Sequence, residues 1–219
     1  QVLRAELSRL IVHDLKNPLT VITSGLNLLA HGNFHSSPET QKRLIKQLES
    51  AGDKVLGLID DLLDVERMEA NEFELALESI NTAVLLQERI EAYQILATTH
   101  KQSLRLEMPK QLPALHGDSE LLSRVIDNLL VNALKYTPED GDVLVSVFVN
   151  PDDLTICVDD TGPGIPVEER ETIFEKFSQV KGAERRGAGL GLTFCKMVVG
   201  AHQGQVKAAD SPLGGARFE

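Results

Sequence analysis

A chain of 219 residues is long enough for one large domain or two modest ones. Its hydrophobic fraction of 42% and charged fraction of 25% are those of a globular protein, and its formal net charge of -11 argues against nucleic-acid binding, which depends on Lys and Arg meeting phosphates. Cys157 and Cys195 stand in apolar surroundings without metal-type spacing, so we expect buried free thiols of a reducing compartment.

The first part of the chain has the periodicity of two long helices. Apolar residues recur at steps of four and three from Leu3 to Leu29. After a break, Ser37 can cap a second helix with Pro38 at its first position. A single hairpin would leave much of both apolar stripes exposed to solvent, so residues 1–70 are predicted to form a four-helix bundle from two chains. The second helix carries a heptad seam of Leu44, Leu48, Ala51, Val55, Leu58, Leu62 and Val65.

Residues 71–219 have the mixed pattern of an α/β sandwich and are predicted to form a second domain, which makes the fold class α+β. Asp118 is expected to cap a strong helix, and residues 150–153 are expected to form a hairpin turn. The pattern predicts helices at 82–97, 118–135, 168–177 and 190–201, and strands at 73–77, 103–107, 142–149, 154–159, 205–208 and the end of the chain.

The first chemically informative cluster is His13-Asp14-Leu15-Lys16-Asn17-Pro18. Helical periodicity places His13 on a polar face, together with Asn17. A neutral imidazole has a free nitrogen that can attack phosphorus, and Asp14 could accept a hydrogen bond from the other ring nitrogen. Pro18 removes one helix hydrogen bond and should loosen this turn. Taken alone, the cluster is better explained by an ordinary surface histidine.

Two further clusters suit a nucleotide. Asn128, Asn132 and Lys135 lie one turn apart on one face of a predicted helix. The amide oxygen of Asn132 is a hard ligand of the kind Mg²⁺ prefers, and Lys135 can meet a phosphate. Asp160 ends a predicted strand, where its carboxylate can accept the amine of adenine, and the glycines at 162 and 164 let backbone pass close to a flat ring. A solvated polar helix face would equally explain the asparagine and lysine cluster. A common tight turn would equally explain the cluster at Asp160.

The fourth cluster is the glycine-rich run from Arg185 to Leu192, which leads into a predicted helix. Free backbone N–H groups at a helix N-terminus suit phosphate. Glycines at this spacing are weak evidence alone, and the missing Rossmann context argues against a dinucleotide site.

These four clusters, in this order and with Ile173 to Phe177 between the third and fourth, closely resemble the H, N, G1, F and G2 boxes of the sensor histidine kinases of two-component systems. The resemblance covers Leu3 to Glu219. It implies a dimerisation and histidine-phosphotransfer hairpin followed by a Bergerat-type ATP-binding domain. It also implies ATP and Mg²⁺ as ligands, and the receiver domain of a response regulator as partner. A cytoplasmic piece of a longer bacterial-type sensor is expected, with or without a membrane anchor.

The resemblance assigns roles to individual residues. His13 corresponds to the phosphoacceptor and Asp14 to its acid/base partner, where many members have Glu. Asn17 corresponds to the residue that helps water attack the phosphorylated partner. Asn132 corresponds to the Mg²⁺ ligand, and Asp160 corresponds to the residue that binds the adenine base. The other positions matched to the ATP pocket and its lid are Asn128, Lys135, Tyr136, Gly162, Gly164, Arg185, Arg186, Gly187, Gly189, Gly191 and Leu192.

The lid, residues 178–188, departs from the family in one respect. Many members have an Arg just after the F box, where this chain has Gln179. We expect Arg185 or Arg186, helped by Lys181, to reach the terminal phosphate instead, and the lid to become ordered when nucleotide binds.

Two other interpretations are compatible with parts of the sequence. Gyrase, chaperone and mismatch-repair ATPases share analogues of the Asn and Asp-x-Gly-x-Gly clusters, but they lack the His13 segment on a dimerising hairpin. A non-catalytic scaffold with a decayed nucleotide site is disfavoured because every expected site position holds a competent residue.

Overall fold

The computed structural model describes residues 2–30, 37–70, 74–151, 153–178 and 189–219. The helices are numbered α1 to α5 and the strands β1 to β7 in chain order. In that order they are α1 Val2–Ala30, α2 Pro38–Glu69, β1 Glu78–Ile80, α3 Thr82–Thr99, β2 Ser103–Glu107, β3 Leu115–Gly117, α4 Ser119–Tyr136, β4 Asp142–Val149, β5 Leu154–Asp160, α5 Gly191–Ala201, β6 Ala208–Asp210 and β7 Ala216–Phe218.

Helices α1 and α2 pack against each other as a hairpin, as predicted. Ser37 caps α2, because its hydroxyl accepts a hydrogen bond from the backbone N–H of Thr40 at 3.4 Å. Helix α1 remains continuous through Pro18 despite the missing donor. Gly25 lets the two helices approach, since a Cβ there would lie 2.4 Å from Leu48 Cδ2. Across the described ranges, no helix combines the length and apolar character needed to cross a bilayer.

The hairpin buries one apolar stripe of α2 and leaves another exposed. Within the predicted seam, Ala51 and Val65 are buried and the other members are partly buried. Leu56 and Leu63 are nevertheless 61% and 49% exposed, and Val21 of α1 is 48% exposed. One hairpin therefore leaves apolar surface on both helices, as the sequence pattern predicted.

The C-terminal domain is a five-stranded sheet in the order β2-β4-β5-β7-β6, with a separate β1-β3 pair. Strand β2 is parallel to β4, and the remaining neighbours in the larger sheet are antiparallel. Alternate residues of β4 and β5 are buried in one core with the apolar faces of α4 and α5. The predicted hairpin turn is confirmed, because Asn150 N donates to Asp153 O at 2.9 Å.

Two details of the core agree with the sequence analysis. Asp118 caps α4, since its Oδ1 accepts a hydrogen bond from Leu121 N at 3.1 Å. Cys157 and Cys195 are buried free thiols. Desolvation by burial raises the pKa of Cys157, which is the direction expected for an unreactive structural thiol.

Several short elements differ from the prediction. Residues 168–177 do not form an α-helix but two short 3₁₀ turns, Val167–Glu169 and Thr172–Phe174. The segment has only two buried side chains, Ile173 and Phe174, so it lacks the apolar stripe that would hold a longer helix. The strand predicted at 73–77 is wrong, because residues 74–77 are irregular and β1 begins only at Glu78. The strand predicted to start at 205–208 is present, but it begins at Ala208 as β6.

The two domains touch at the end of α2. Val65 is fully buried among residues of the C-terminal core, and α2 contacts α5. Asp64 forms an ion pair with Arg124 of α4, and Glu66 lies 3.5 Å from Lys176. The end of α2 is thus part of the C-terminal core as well as of the hairpin.

Candidate active site

Asp160 ends strand β5 and is 3% exposed. Its Oδ1 accepts hydrogen bonds from the backbone N–H groups of Gly162 at 2.7 Å and Ala216 at 3.0 Å. Desolvation by burial raises the pKa of this carboxyl, the two backbone donors oppose the shift, and the charge of Asp159 adds to it. In the described part of the chain Oδ2 has no hydrogen-bond partner, so it remains available to a ligand.

The backbone of two glycines passes very close to Asp160. A Cβ at Gly215 would lie 2.3 Å from Asp160 Oδ1. A Cβ at Gly162 would lie 2.9 Å from Asp160 Oδ1 and 2.9 Å from the carbonyl oxygen of Tyr136. Gly164 has a φ of +73°, a conformation that L side chains rarely adopt. The glycines after β5 thus bring the loop that follows Asp160 against the end of α4.

Helix α4 carries the asparagines and the lysine of the second cluster. Asn128, Asn132 and Lys135 are partly buried. Asn128 Nδ2 donates to the carbonyl oxygen of Arg124 at 3.1 Å, whereas the amide of Asn132 makes no side-chain hydrogen bond with the residues that the structure describes. Lys135 Nζ lies 4.6 Å from the centroid of the Tyr136 ring. The donor set suits Mg²⁺, because a free amide oxygen is a hard ligand.

The start of α5 meets α4 at Asn128. A Cβ at Gly191 would lie 2.5 Å from Asn128 Oδ1, so only glycine fits there without moving the asparagine. Leu192, the next residue, is partly buried and packs against the core. The second and fourth clusters therefore meet although more than 60 residues of sequence separate them.

The two ends of the predicted lid are joined by a hydrogen bond. Phe177 N donates to Gly189 O at 3.0 Å, and both residues have positive φ values, of 63° and 67°. Arg185, Arg186 and Gly187 lie outside the described residues, as does Gln179. The compensation of Gln179 by a lid cation therefore stays a prediction.

His13 and Asp14 lie on α1, in the hairpin rather than in the C-terminal domain, and their side chains lie outside the described ones. Asn17, one turn further along α1, is exposed. An open cleft beside it is lined by Asn17, Pro18, Val21, Arg43, Lys46, Gln47, Ser50 and Ala51.

The fold thus places Gly191 against Asn128 and the loop after Asp160 against Tyr136 at the end of the same helix, and it keeps His13 on a separate domain. Sequence reasoning missed the contribution of β7, whose Ala216 N–H holds the Asp160 carboxylate. The adjacent Gly214-Gly215 pair was a usable signal, since paired glycines can mark a close approach of backbone.

The C-terminal domain is of the ATP-binding class that histidine kinases share with gyrase B and HSP90. Residues 117–219 match the family model described as histidine kinase-, DNA gyrase B-, and HSP90-like ATPase. Residues 3–71 match the model of the His Kinase A (phospho-acceptor) domain. With both domains in this order, the chain belongs to the sensor histidine kinases of two-component systems, which are protein kinases.

Relatives agree with this assignment. The adaptive-response sensory kinase SasA of Trichormus variabilis is 32% identical over 218 residues, which cover 95% of this chain and 54% of the relative. The alginate biosynthesis sensor protein KinB of Pseudomonas aeruginosa is 34% identical over 206 residues, which cover 94% of this chain and 34% of the relative. The chain thus spans about half or less of the length of these curated relatives.

Solved structures have the same fold. The full-length histidine kinase ShkA in complex with AMPPNP superposes with a TM-score of 0.71 and 28% identity, covering 98% of this chain and 44% of that one. The histidine kinase AdeS of Acinetobacter baumannii also gives a TM-score of 0.71 at 22% identity, covering 94% of both chains, and supports the fold alone.

Proposed function

We propose that this chain phosphorylates its own His13 from ATP and passes the phosphoryl group to an aspartate of a response-regulator receiver domain. The observation that carries the proposal is the buried Asp160, whose Oδ1 is held by two backbone donors while Oδ2 is left for a ligand. It lies in an ATPase-type domain that follows a phospho-acceptor hairpin in the same chain.

In the proposed complex, Asp160 Oδ2 accepts a hydrogen bond from the exocyclic amine of adenine. Asn132 supplies an amide oxygen to Mg²⁺, and Lys135 meets a phosphate oxygen. The glycines at 162 and 191 keep these groups in place, because a Cβ at 162 would collide with Asp160 and Tyr136 and one at 191 would collide with Asn128. Bound Mg²⁺ would neutralise part of the phosphate charge.

The proposed reaction is two successive phosphoryl transfers. An uncharged imidazole nitrogen of His13 attacks the γ-phosphorus, the bond to the bridging oxygen breaks, and ADP leaves with the electron pair. Asp14 would stabilise the imidazolium that forms. A carboxylate of the receiver domain then attacks the same phosphorus and frees the histidine.

The hairpin is the proposed site of both protein contacts. A second copy of the chain would cover the exposed apolar side chains of α1 and α2, completing a four-helix bundle. The receiver domain would dock beside the cleft at Asn17, where Arg43 and Lys46 supply positive charge. Asn17 would orient water during dephosphorylation of the regulator. We place this activity in the cytoplasm, where ATP and receiver domains are found.

Incubation with γ-labelled ATP tests the proposal. We expect label that is labile to acid and stable to base, as a phosphohistidine is. His13→Ala should abolish labelling and leave nucleotide affinity nearly unchanged, whereas Asn132→Ala should abolish labelling by weakening Mg·ATP binding.

His100→Ala is a suitable control, because His100 is an exposed histidine of the C-terminal domain and should be irrelevant to labelling. Persistent histidine phosphorylation of the His13→Ala chain would show that the phosphoacceptor is assigned wrongly. Label transfer to a purified receiver domain, and its absence when the receiver aspartate is replaced, tests the second step.

A further inference from the structure

A buried ion pair lies on the opposite face of the sheet from the ATP-binding side. Asp159 is fully buried and Arg217 holds both of its carboxylate oxygens. Arg217 Nε donates to Oδ1 and its terminal NH₂ group donates to Oδ2, each at 2.8 Å. The two residues are direct cross-strand partners of β5 and β7. A bidentate pair of this kind fixes geometry as well as charge.

This pair is directly adjacent in sequence to Asp160. Successive residues of a strand point to opposite faces, so Asp159 and Asp160 are two buried carboxylates on opposite sides of one strand. Three consecutive residues of the neighbouring segment contact these two aspartates, Gly215 through the backbone carbonyl of Asp160 and the other two through the carboxylates. Gly215 N donates to Asp160 O at 3.1 Å, Ala216 N donates to Asp160 Oδ1 at 3.0 Å, and Arg217 binds Asp159.

The charge of Asp159 acts on Asp160, the next residue in the strand. The negative charge of Asp159 contributes to the raised pKa of Asp160, after the larger effect of burial. The hydrogen bond to Asp159 raises the pKa of Arg217, so the guanidinium stays charged and offsets its partner. The other titratable groups that act on Arg217 are Cys157 and Glu219. Without the guanidinium, Asp159 would be a buried unpaired charge next to Asp160.

We propose that Arg217 is a positioning residue for adenine recognition, which holds β7 in register through its bidentate pair with Asp159, so that the backbone N–H of Ala216 keeps the Asp160 carboxyl aimed at the ligand. The inference rests on the proposed role of Asp160 as the acceptor of the adenine amine. A carboxylate accepts that hydrogen bond in its ionised form, so any change that favours protonation of Asp160 weakens adenine binding as the pH falls.

The test is Arg217→Gln, with Mg·ADP binding measured by calorimetry from mildly alkaline to mildly acidic pH. We expect ADP affinity to fall several-fold, and to fall further at acidic than at alkaline pH, because loss of the guanidinium favours protonation of Asp160. The pH at which binding is half lost should move upward. Asp159→Asn combined with Arg217→Gln removes both charges and should restore most of the affinity, and Arg217→Lys should restore part of it.

Inosine diphosphate separates this role from a general loss of structure. It lacks the exocyclic amine, so its weaker binding should be the same in Arg217→Gln and the parent. Arg105→Gln is the matched control, because Arg105 pairs with Asp142 on the same face of the same sheet at 3.3 Å and is more exposed. That variant should bind ADP as the parent does.

Two outcomes would overturn the inference, and they differ from failure of the proposed function. If Asp160→Asn weakens ADP selectively but Arg217→Gln binds ADP like the parent at every pH, only the role of Arg217 fails. An equal loss of ADP and inosine diphosphate binding in Arg217→Gln would assign the pair a purely structural role. If Asp160→Asn does not weaken ADP relative to inosine diphosphate, the proposed role of Asp160 fails first. Should Arg217→Gln not fold, the charge-free double variant and Arg217→Lys carry the same comparisons.

Discussion

Arg124 of α4 pairs with Asp64 near the end of α2, and this contact joins the hairpin to the domain that holds the nucleotide cluster. The guanidinium of Arg124 also lies 4.4 Å from the centroid of the Phe194 ring, and its carbonyl oxygen accepts a hydrogen bond from Asn128. One residue thus contacts the hairpin, the core and the asparagine-bearing face of α4.

The Asp64–Arg124 pair is expected to couple the stabilities of the two domains. Both side chains are mostly buried, at 15% and 29% exposed, so a coupling energy of about 1 kcal/mol is expected from a double-mutant cycle. Asp64→Asn, Arg124→Gln and the double variant would be unfolded in urea. Glu66→Gln is the control, because Glu66 is 65% exposed and its pair with Lys176 should contribute less. Strictly additive effects would show that the pair does not couple the domains.

If the chain forms the proposed dimer, Leu56→Glu is expected to dissociate it without unfolding the hairpin. Leu56 is 61% exposed in a single chain, so a charge there is tolerated in a monomer but would cost several kcal/mol if buried unpaired in a bundle. Light scattering would report the mass. Ile95→Glu, on α3 and 78% exposed, should leave the mass unchanged.

The choice of Leu56 matters for this test. Leu58 belongs to the predicted seam but is partly buried within one hairpin, so a charge there would disturb folding as well as association. A Leu56→Glu chain that stays dimeric would place the dimer interface elsewhere.

Asn17→Ala is expected to impair dephosphorylation of the phosphorylated regulator several-fold and to spare autophosphorylation. The exposed amide is one helical turn from His13, where it could orient an attacking water. Thr20→Ala is the matched control, because the hydroxyl of Thr20 already donates a hydrogen bond to the carbonyl oxygen of Lys16 at 2.7 Å. Equal dephosphorylation rates for the Asn17→Ala variant and the parent would remove the role.

Gly191→Ala is expected to weaken ATP binding, whereas Gly200→Ala is expected to raise the stability of the protein, although both residues lie in α5. A Cβ at position 191 would lie 2.5 Å from Asn128 Oδ1, so alanine should displace Asn128 and weaken ATP binding several-fold. A Cβ at position 200 meets nothing within 4 Å, so alanine there should stabilise the helix by about 0.5–1 kcal/mol. Nucleotide titration and thermal unfolding of both variants check this. Unchanged ATP affinity in Gly191→Ala would contradict the contact.

Asp160→Asn is expected to stabilise the nucleotide-free protein at neutral pH while it weakens ATP binding. The raised pKa means that the folded state favours the protonated carboxyl. The stability that Asp160 contributes in its protonated form is fully present below the pKa of this carboxyl in the unfolded chain. It is lost as the pH rises through the higher pKa of the folded state. Asparagine keeps the Oδ1 acceptor without the charge. Thermal unfolding at neutral and acidic pH should show a gain that shrinks as the pH falls, and a gain independent of pH would refute the explanation.

Much of the fold was predictable because its long elements carry complete periodic patterns. Helix α4 has an N-cap and a continuous apolar stripe, and the β4–β5 hairpin has two alternating runs around a turn. The short elements carried no such pattern. Strand β3 has three residues and forms only because β1 lies beside it, and residues 168–177 failed as a helix because only Ile173 and Phe174 are buried.

The sequence by itself determined which chemical groups the protein carries and in what order: an H-box histidine, an asparagine-bearing helix, an acid at a strand end and glycines before a helix. These are local properties, readable within a few residues. Only the tertiary structure decided that Ala216 holds Asp160, that Gly191 meets Asn128 and that Arg217 neutralises Asp159. The partners in each case are more than 50 residues apart, and strand register and helix packing, which depend on the whole core, bring them together.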